Sequence, residues 1–570
     1  MTSLKPLIEC QDLTFRYPGE EKFILKDLTC TINEGEFLAI IGGNGSGKST
    51  LCKAFNGLIP HFYVGDYTGK VTLDGVCTTT TDVATLSQSI GYVYQDFQNQ
   101  LLRPTALEDA CFMPLNYGLD DYKERGLWAL EVTGLLDVKN EFIWRLSGGQ
   151  QHLLALAGAI AMRPKLLVID EPIAQLDPHH AEQIYEVLKK LHTDYGMTIV
   201  VIEHHTDFIA EYCSHVMLLD KGQVLWKKET VAALNCVEEL LERNIFPPQV
   251  TQIAHSLQLK QPYPVTLKQS IQTFKASPWK QQATVHHLAQ HTTPMVQLTN
   301  IELAYNQRLA NNKLVLQNIS LELSTHEHIA LVGNNGAGKS TLLKVIAGIV
   351  RPTSGELYIQ EQLIARAMPE KLAQDVGFIF QNPEEMFIED SVRKEISFYL
   401  KSRKVNDYET YVDELLETFE LVDLQDQDAR LLSGGQQRRV SLAIGAAMQP
   451  KILLLDEPTA NLDIATKQHV LTMLLELKKY VQTIVIATHD MELVAEWSSR
   501  VVVLSNGCIL ADDTSERIFQ NHGIMAAGHI RAPQVVQLTT ALSLPYCSSV
   551  NQFIAGYLQQ LERGVHVGMG

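Results

Sequence analysis

Two nine-residue segments could grip a phosphate chain: Gly42-Gly43-Asn44-Gly45-Ser46-Gly47-Lys48-Ser49-Thr50 and Gly333-Asn334-Asn335-Gly336-Ala337-Gly338-Lys339-Ser340-Thr341. Both fit the spacing G-x-x-x-x-G-K-[ST]. In such a loop the glycines let backbone N–H groups turn inward around a β-phosphate. The lysine reaches the β/γ oxygens, and the first hydroxyl residue ligates Mg²⁺. One match could arise by chance. Two, each followed by the same ordered series of further motifs, do not.

The series is easy to align. Leu146-Ser147-Gly148-Gly149-Gln150 recurs as Leu432-Ser433-Gly434-Gly435-Gln436, and Asp170-Glu171 recurs as Asp456-Glu457. Near the ends, Ile245…Pro248-Gln249-Val250 recurs as Ile530…Pro533-Gln534-Val535. The spacing is about half the chain, so one unit has been duplicated; solenoid repeats are far shorter, about 20–50 residues.

Elements must position these residues. Phe37-Leu38-Ala39-Ile40-Ile41 and His328-Ile329-Ala330-Leu331-Val332 run straight into the two loops, and helices are expected from Thr50 and Thr341 onward. Continuous apolar runs read as buried parallel strands; Leu166–Ile169, Ile452–Leu455, Thr198–Ile202 and Thr483–Ile486 all fit. Strands alternating with helices predict an α/β fold with a mixed, largely parallel sheet in each half. Helix-prone stretches at 105–140 and 391–428 predict a helical subdomain in each. The expected domains are 1–225 and 295–514, with a helical extension and linker at 226–294 and a C-terminal helical extension at 515–570. His286, His287 and His291 fall in the linker with no carboxylate or cysteine beside them, so a solvated segment is expected there, not a metal site.

Length and composition narrow the class. At 570 residues the chain exceeds one core. A formal net charge of −18, with no Lys/Arg-rich stretch, argues against a duplex nucleic-acid partner. The longest strongly apolar run, Leu153–Met162, is short of the ~20 residues that cross a bilayer. Nine scattered cysteines, never spaced C-x-x-C, signal neither a disulfide framework nor a zinc or iron–sulfur site, and a reducing cytoplasm is expected.

The motif order in each half resembles the ATP-binding cassette (ABC) ATPases, P-loop NTPases, over essentially both cores. The resemblance implies ATP with Mg²⁺ as ligands and ATP hydrolysis as the reaction. Asp170 and Asp456 would hold Mg²⁺ opposite Ser49 and Ser340, and Glu171 and Glu457 would orient the attacking water. Gln95 and Gln381 match the Q-loop, which senses Mg²⁺ and the lytic water. His204 and His489 match the switch histidine that contacts the γ-phosphate. Tyr17 and Tyr305 match the aromatic that stacks on adenine. Ser147, Gly149 and Gln150 open one signature helix and Ser433, Gly435 and Gln436 the other, each forming an anion site for the γ-phosphate held by the opposite cassette. The D-loops, Ala174-Gln175-Leu176-Asp177 and Ala460-Asn461-Leu462-Asp463, would link the two sites. One departure concerns Leu153, which stands where the family usually has an arginine; Arg439 keeps it, so unequal turnover of the two sites is expected.

Phe55-Asn56-Gly57-Leu58-Ile59-Pro60-His61-Phe62-Tyr63, Gln381-Asn382-Pro383-Glu384…Phe387 and Ile245-Phe246-Pro247-Pro248-Gln249-Val250-Thr251-Gln252 look like energy-coupling factor (ECF) transporter ATPases. That resemblance implies a peripheral subunit on the cytoplasmic face of the cell membrane. Its partners would be a T-component and a substrate-binding S-component importing a vitamin or transition-metal ion. Two other readings are a fused ATPase of a sugar importer, whose second site often lacks the catalytic glutamate, and a ribosome-associated tandem-cassette translation factor, which needs a charged arm between cassettes.

Overall fold

The computed structural model describes residues 5–173, 176–275, 294–305, 314–364, 372–460 and 462–567. The expected linker with its three histidines, and D-loop residues Ala174, Gln175 and Asn461, lie outside the described residues. The chain divides into two compact units, Met1–Leu176 with His180–Lys275 and Asp177–His179 with Ala276–Gly570.

Each unit contains a six-stranded sheet. In the first its order is Gln223–Glu229, His215–Asp220, Phe37–Ile41, Thr198–Ile202, Leu166–Asp170, Ile90–Val93. All neighbours are parallel except the antiparallel edge strand Gln223–Glu229. The second repeats this with Val376–Ile379, Ile452–Asp456, Thr483–Ala487, His328–Val332, Arg500–Ser505 and Cys508–Asp513. The sequence explains the centre. Every residue of Phe37–Ile41, Leu166–Asp170 and Thr198–Ile202 is buried, which only side chains apolar on both faces permit.

A second, antiparallel sheet of four strands accompanies each: Leu25–Asn33, Pro6–Arg16, Asp66–Leu73 and Val76–Cys77 in one unit, Leu316–Ser324, Pro294–Leu303, Ser354–Ile359 and Gln362–Leu363 in the other. Its strands alternate buried and exposed residues, as a sheet wet on one face must. Helices Ala106–Ala110, Phe112–Asn116 and Tyr122–Val132, and in the second unit Val392–Ser402 and Tyr408–Thr418, pack against the signature helices Gly148–Ile160 and Gly434–Ala447. Short helices occupy 230–274 and 515–541, and an 18-residue helix, Val550–Val567, follows. Among the described residues, no helix is long and apolar enough to cross a membrane.

Candidate active site

The buried strand Phe37–Ile41 delivers the first phosphate loop to the start of helix Lys48–Phe55, and His328–Val332 does the same for Lys339–Ile346. Gly47 and Gly338 precede these helices with φ of 101° and 104°, a left-handed turn that glycine adopts without strain. Space excludes a side chain as well. A Cβ on Gly47 would lie 2.8 Å from Leu25 Cδ2, and one on Gly338 2.9 Å from Leu316 Cδ2. Lys48 Nζ donates to the carbonyls of Gly42 at 2.8 Å and Gly43 at 3.0 Å; Lys339 Nζ donates to Gly333 at 2.7 Å and Asn334 at 3.1 Å. Both ammonium groups are thus buried at the loops they must serve. Burial pulls the Lys339 pKa down against the attraction of Glu457 and Asp456. Ser46 Oγ is buried with no hydrogen-bond partner among the described residues, a polar atom a phosphate oxygen would satisfy. Ala337 is its counterpart.

Asp170 and Asp456 end buried strands, as expected. Ser340 Oγ donates to Asp456 Oδ1 at 2.8 Å, and the Ser49 hydroxyl bonds Asp170. Burial raises both aspartate pKa values, with the serine bond acting against it and the adjacent glutamate adding to it. Buried hydroxyl and carboxylate oxygens are hard donors, the set that suits Mg²⁺ sharing its shell with phosphates. Ser49 with Asp170, and Ser340 with Asp456, are the residues that would hold it.

Glu171 and Glu457 take left-handed backbone angles, φ 53° and 46°. Burial pushes their carboxyls up, yet the switch histidines and Lys48 or Lys339 outweigh it, and both pKa values end lowered. His204 Nε2 lies 3.4 Å from Glu171 Oε1, and His489 Nδ1 lies 2.9 Å from Glu457 Oε2. Gln95 Nε2 donates to Glu171 Oε2 at 2.7 Å. The structure thus gathers Lys48, Ser49, Gln95, Asp170, Glu171 and His204 in one unit, and Lys339, Ser340, Asp456, Glu457 and His489 in the other. Tyr17 OH sits 3.4 Å from Thr50 Oγ1 and Tyr305 OH 3.3 Å from Thr341 Oγ1, bringing each aromatic to its own phosphate loop.

The signature residues serve their own helix first. Ser147 Oγ accepts from Gln150 N at 3.2 Å while Ser147 N donates to Gln150 Oε1 at 3.0 Å, a reciprocal cap that Ser433 and Gln436 repeat. The second signature glycine is a packing requirement: a Cβ on Gly149 would meet His180 Cδ2 at 2.1 Å, and one on Gly435 Thr466 Cγ2 at 2.7 Å. Asp463 of the second D-loop caps helix Ile464–Leu477 by accepting from Thr466 N at 2.8 Å.

Glu203 escaped the sequence reading. Its buried carboxylate accepts from His204 N at 2.8 Å, His205 N at 2.9 Å and Tyr185 OH at 2.8 Å, fixing the loop that carries the switch histidine. A charge ending the apolar run 198–202 was the available signal. Thr488 takes its place in the second unit and accepts from Asp490 N at 3.0 Å.

A cradle of backbone amides, a buried lysine, a serine–aspartate pair and a glutamate–histidine pair define the class as a P-loop nucleotide hydrolase. The sequence profile of the ABC transporter family matches residues 25–174 and 316–460. An ABC transporter ATP-binding protein of Methanosarcina acetivorans is 31% identical over 94% of this chain and 90% of that protein. Another from onion yellows phytoplasma is 30% identical over 95% of this chain and 96% of that one. The chain therefore belongs to the ABC transporter family, with two cassettes in tandem, and is an ATPase of that family. The solved archaeal ribosome recycling factor aABCE1, in complex with ribosomal stalk protein aP1, superposes with a TM-score of 0.57, covering 89% of this chain and 91% of that one. At 21% identity that likeness bears on fold alone.

Proposed function

We propose that the chain binds and hydrolyses ATP at two composite sites and so energises a membrane importer of the ECF type. Each site would be built on one phosphate loop, Lys48 or Lys339, and completed by the other cassette's signature serine, Ser433 or Ser147. Nucleotide then joins the cassettes and hydrolysis releases them. The two cassettes are one chain, which raises the effective concentration of each around the other.

The observation that carries the transport reading is a pair of exposed apolar surfaces at equivalent places. Leu102 follows the Q-loop turn Phe97–Gln100 and is 61% exposed; its counterpart Ile388, after the turn Pro383–Met386, is 60% exposed. Beside Leu102, the 142–145 segment bridges back to Thr105 and carries Trp144, 65% exposed and stacked on Phe142 at 4.6 Å. Beside Ile388, Arg430 donates to Glu389 O at 3.0 Å, and Leu431 is 84% exposed. Apolar residues left bare beside each Q-loop suit a helix of a membrane subunit. The ECF type rests on the sequence segments quoted above, and Glu457 with His489 intact disfavours the sugar-importer reading. The test is purification in mild detergent from the native membrane. Co-isolation of a multi-span protein, lost on Leu102→Glu with Ile388→Glu, is expected. Pelleting with ribosomes and no membrane partner would overturn it.

A further inference from the structure

The two units carry the same glutamate–histidine pair but hold the Q-loop differently. In the first, Gln95 rests on Glu171. In the second, Gln381 makes no side-chain hydrogen bond among the described residues, and the Glu457 side chain is left with His489. The difference coincides with one position on the signature helix. Arg438 is 2% exposed and donates to Phe380 O at 3.0 Å and Gln381 O at 2.6 Å. Its guanidinium thus grips the backbone of the residue whose side chain must serve the reaction. Its remaining attraction is to the Asp456 and Glu457 carboxylates, though burial holds its pKa down to about 10.

The counterpart in the first unit is His152, whose buried ring stacks on Phe97 at 4.3 Å and 12°. Burial pushes its pKa to about 4, so it carries no charge at neutral pH, and its Nδ1 has no hydrogen-bond partner among the described residues. The first Q-loop is fastened from within instead. Gln100 accepts from Tyr94 N at 2.9 Å and donates to Tyr92 O at 3.0 Å. The residue equivalent to Gln100 is Met386, buried and unable to make either bond. Both turns also reach their signature helix, Gln98 Nε2 donating to Gln151 Oε1 and Gln437 Nε2 to Glu384 Oε1, each at 3.2 Å, so the units differ in the Arg438 grip on one side and the Gln100 fastening on the other.

We propose that Arg438 is a positioning residue for hydrolysis in the second cassette: it ties the Q-loop to the signature helix and holds Gln381 off Glu457. In the first cassette the arginine grip is missing, and Gln95 donates to Glu171 Oε2, which stabilises the carboxylate and makes it a weaker acceptor of a proton from water. The second site is then the readier of the two. The proposal rests on the ATP-site reading above.

The test uses the full chain with the first site silenced by Glu171→Gln. It reads single-turnover hydrolysis of bound ATP in Mg²⁺ beside equilibrium ATP affinity without Mg²⁺. Arg438→His should slow hydrolysis about fivefold to tenfold with affinity held within about twofold, the pattern of a group acting on the reaction step. Because Arg438 acts through Gln381, Arg438→His combined with Gln381→Ala should be no slower than the slower single variant. Losses that multiply, unchanged hydrolysis in Arg438→His, or an equal fall in affinity and rate would each overturn the proposal. Arg438→Lys keeps the charge but reaches one carbonyl and should fall between; should Arg438→His not fold, the same cycle on Arg438→Lys decides by the same criteria. Glu457→Gln in this background separates the failures. Hydrolysis surviving it would refute the site itself. Hydrolysis abolished by it yet untouched by Arg438→His would refute the proposal alone.

Discussion

Glu171 and Glu457 sit at left-handed φ directly after a strand, a conformation costing a non-glycine residue about 1–3 kcal/mol. The sheet holds them there through Glu171 N to Ile202 O at 3.0 Å and Glu457 N to Ala487 O at 2.8 Å. As proton acceptors for the attacking water, each should lose about 10²–10⁴-fold in rate on change to glutamine, with ATP binding retained. Each single variant leaves one site working, so comparing both singles with the Glu171→Gln, Glu457→Gln double variant checks this, and the larger fall in total rate is expected for Glu457→Gln. Asp456 makes a different prediction. Burial raises its pKa, so folding favours the protonated form. That stability is present at acid pH and lost as pH rises through the raised value, leaving a buried charge as a cost at neutral pH. Asp456→Asn keeps an acceptor for Ser340 and should melt higher than the parent in nucleotide-free calorimetry at neutral pH. The difference should shrink on acidification, and in the Glu171→Gln background Mg²⁺-dependent hydrolysis should be lost.

Most of these residues were legible because their chemistry demands short, ordered motifs. Arg438 and His152 were not, since their roles depend on which backbone a helix faces across a Q-loop distant in sequence. The contrast the sequence did single out, Leu153 against Arg439, lies one position further on. Arg439 donates to Glu420 O at 2.9 Å, behind helix Tyr408–Thr418, while Leu153 is buried in the apolar core. That exchange sets an Arg439–Glu420 ion pair at 3.4 Å in the second unit against apolar burial in the first, away from Gln381.

At the scale of elements, the signature serine has two separable duties. It caps its own helix, worth about 0.5–2 kcal/mol, and in the proposed composite site it would present a hydroxyl to a phosphate. Ser433→Asp preserves a good cap but places a negative charge at the anion site. Read in the Glu457→Gln background, where hydrolysis rests on the Lys48 site that Ser433 would complete, melting near that background's temperature with the remaining ATPase activity abolished is expected; undiminished activity would deny the phosphate role. Gly338→Ala probes the loop–helix junction. A Cβ in the left-handed region costs about 1–2 kcal/mol, and here it also meets Leu316 and the Val315 carbonyl at 3.1 Å. Urea denaturation should show a loss of that order or greater. The central strands were legible from unbroken apolar runs and the signature helices from the Leu-Ser-Gly-Gly-Gln motif that opens them. The four-stranded antiparallel sheets were not read from the sequence, because their pairing joins strands separated by the phosphate loop and its helix.

At the scale of the molecule, duplication explains why both units show one strand order and why their differences inform. Each unit's active residues could be placed by motif alone, whereas the unlike Q-loop fastenings emerged only from side-chain contacts. The central claim is that each ATP is held by one cassette's phosphate loop and sealed by the other's signature. The most direct measurement is a structure of the Glu171→Gln, Glu457→Gln chain trapped with Mg²⁺ and ATP. It should place Ser433 Oγ within hydrogen-bonding reach, about 3 Å, of the γ-phosphate on Lys48, and Ser147 Oγ equally close to the one on Lys339. ATP bound on both loops with neither serine near a terminal phosphate would contradict the account.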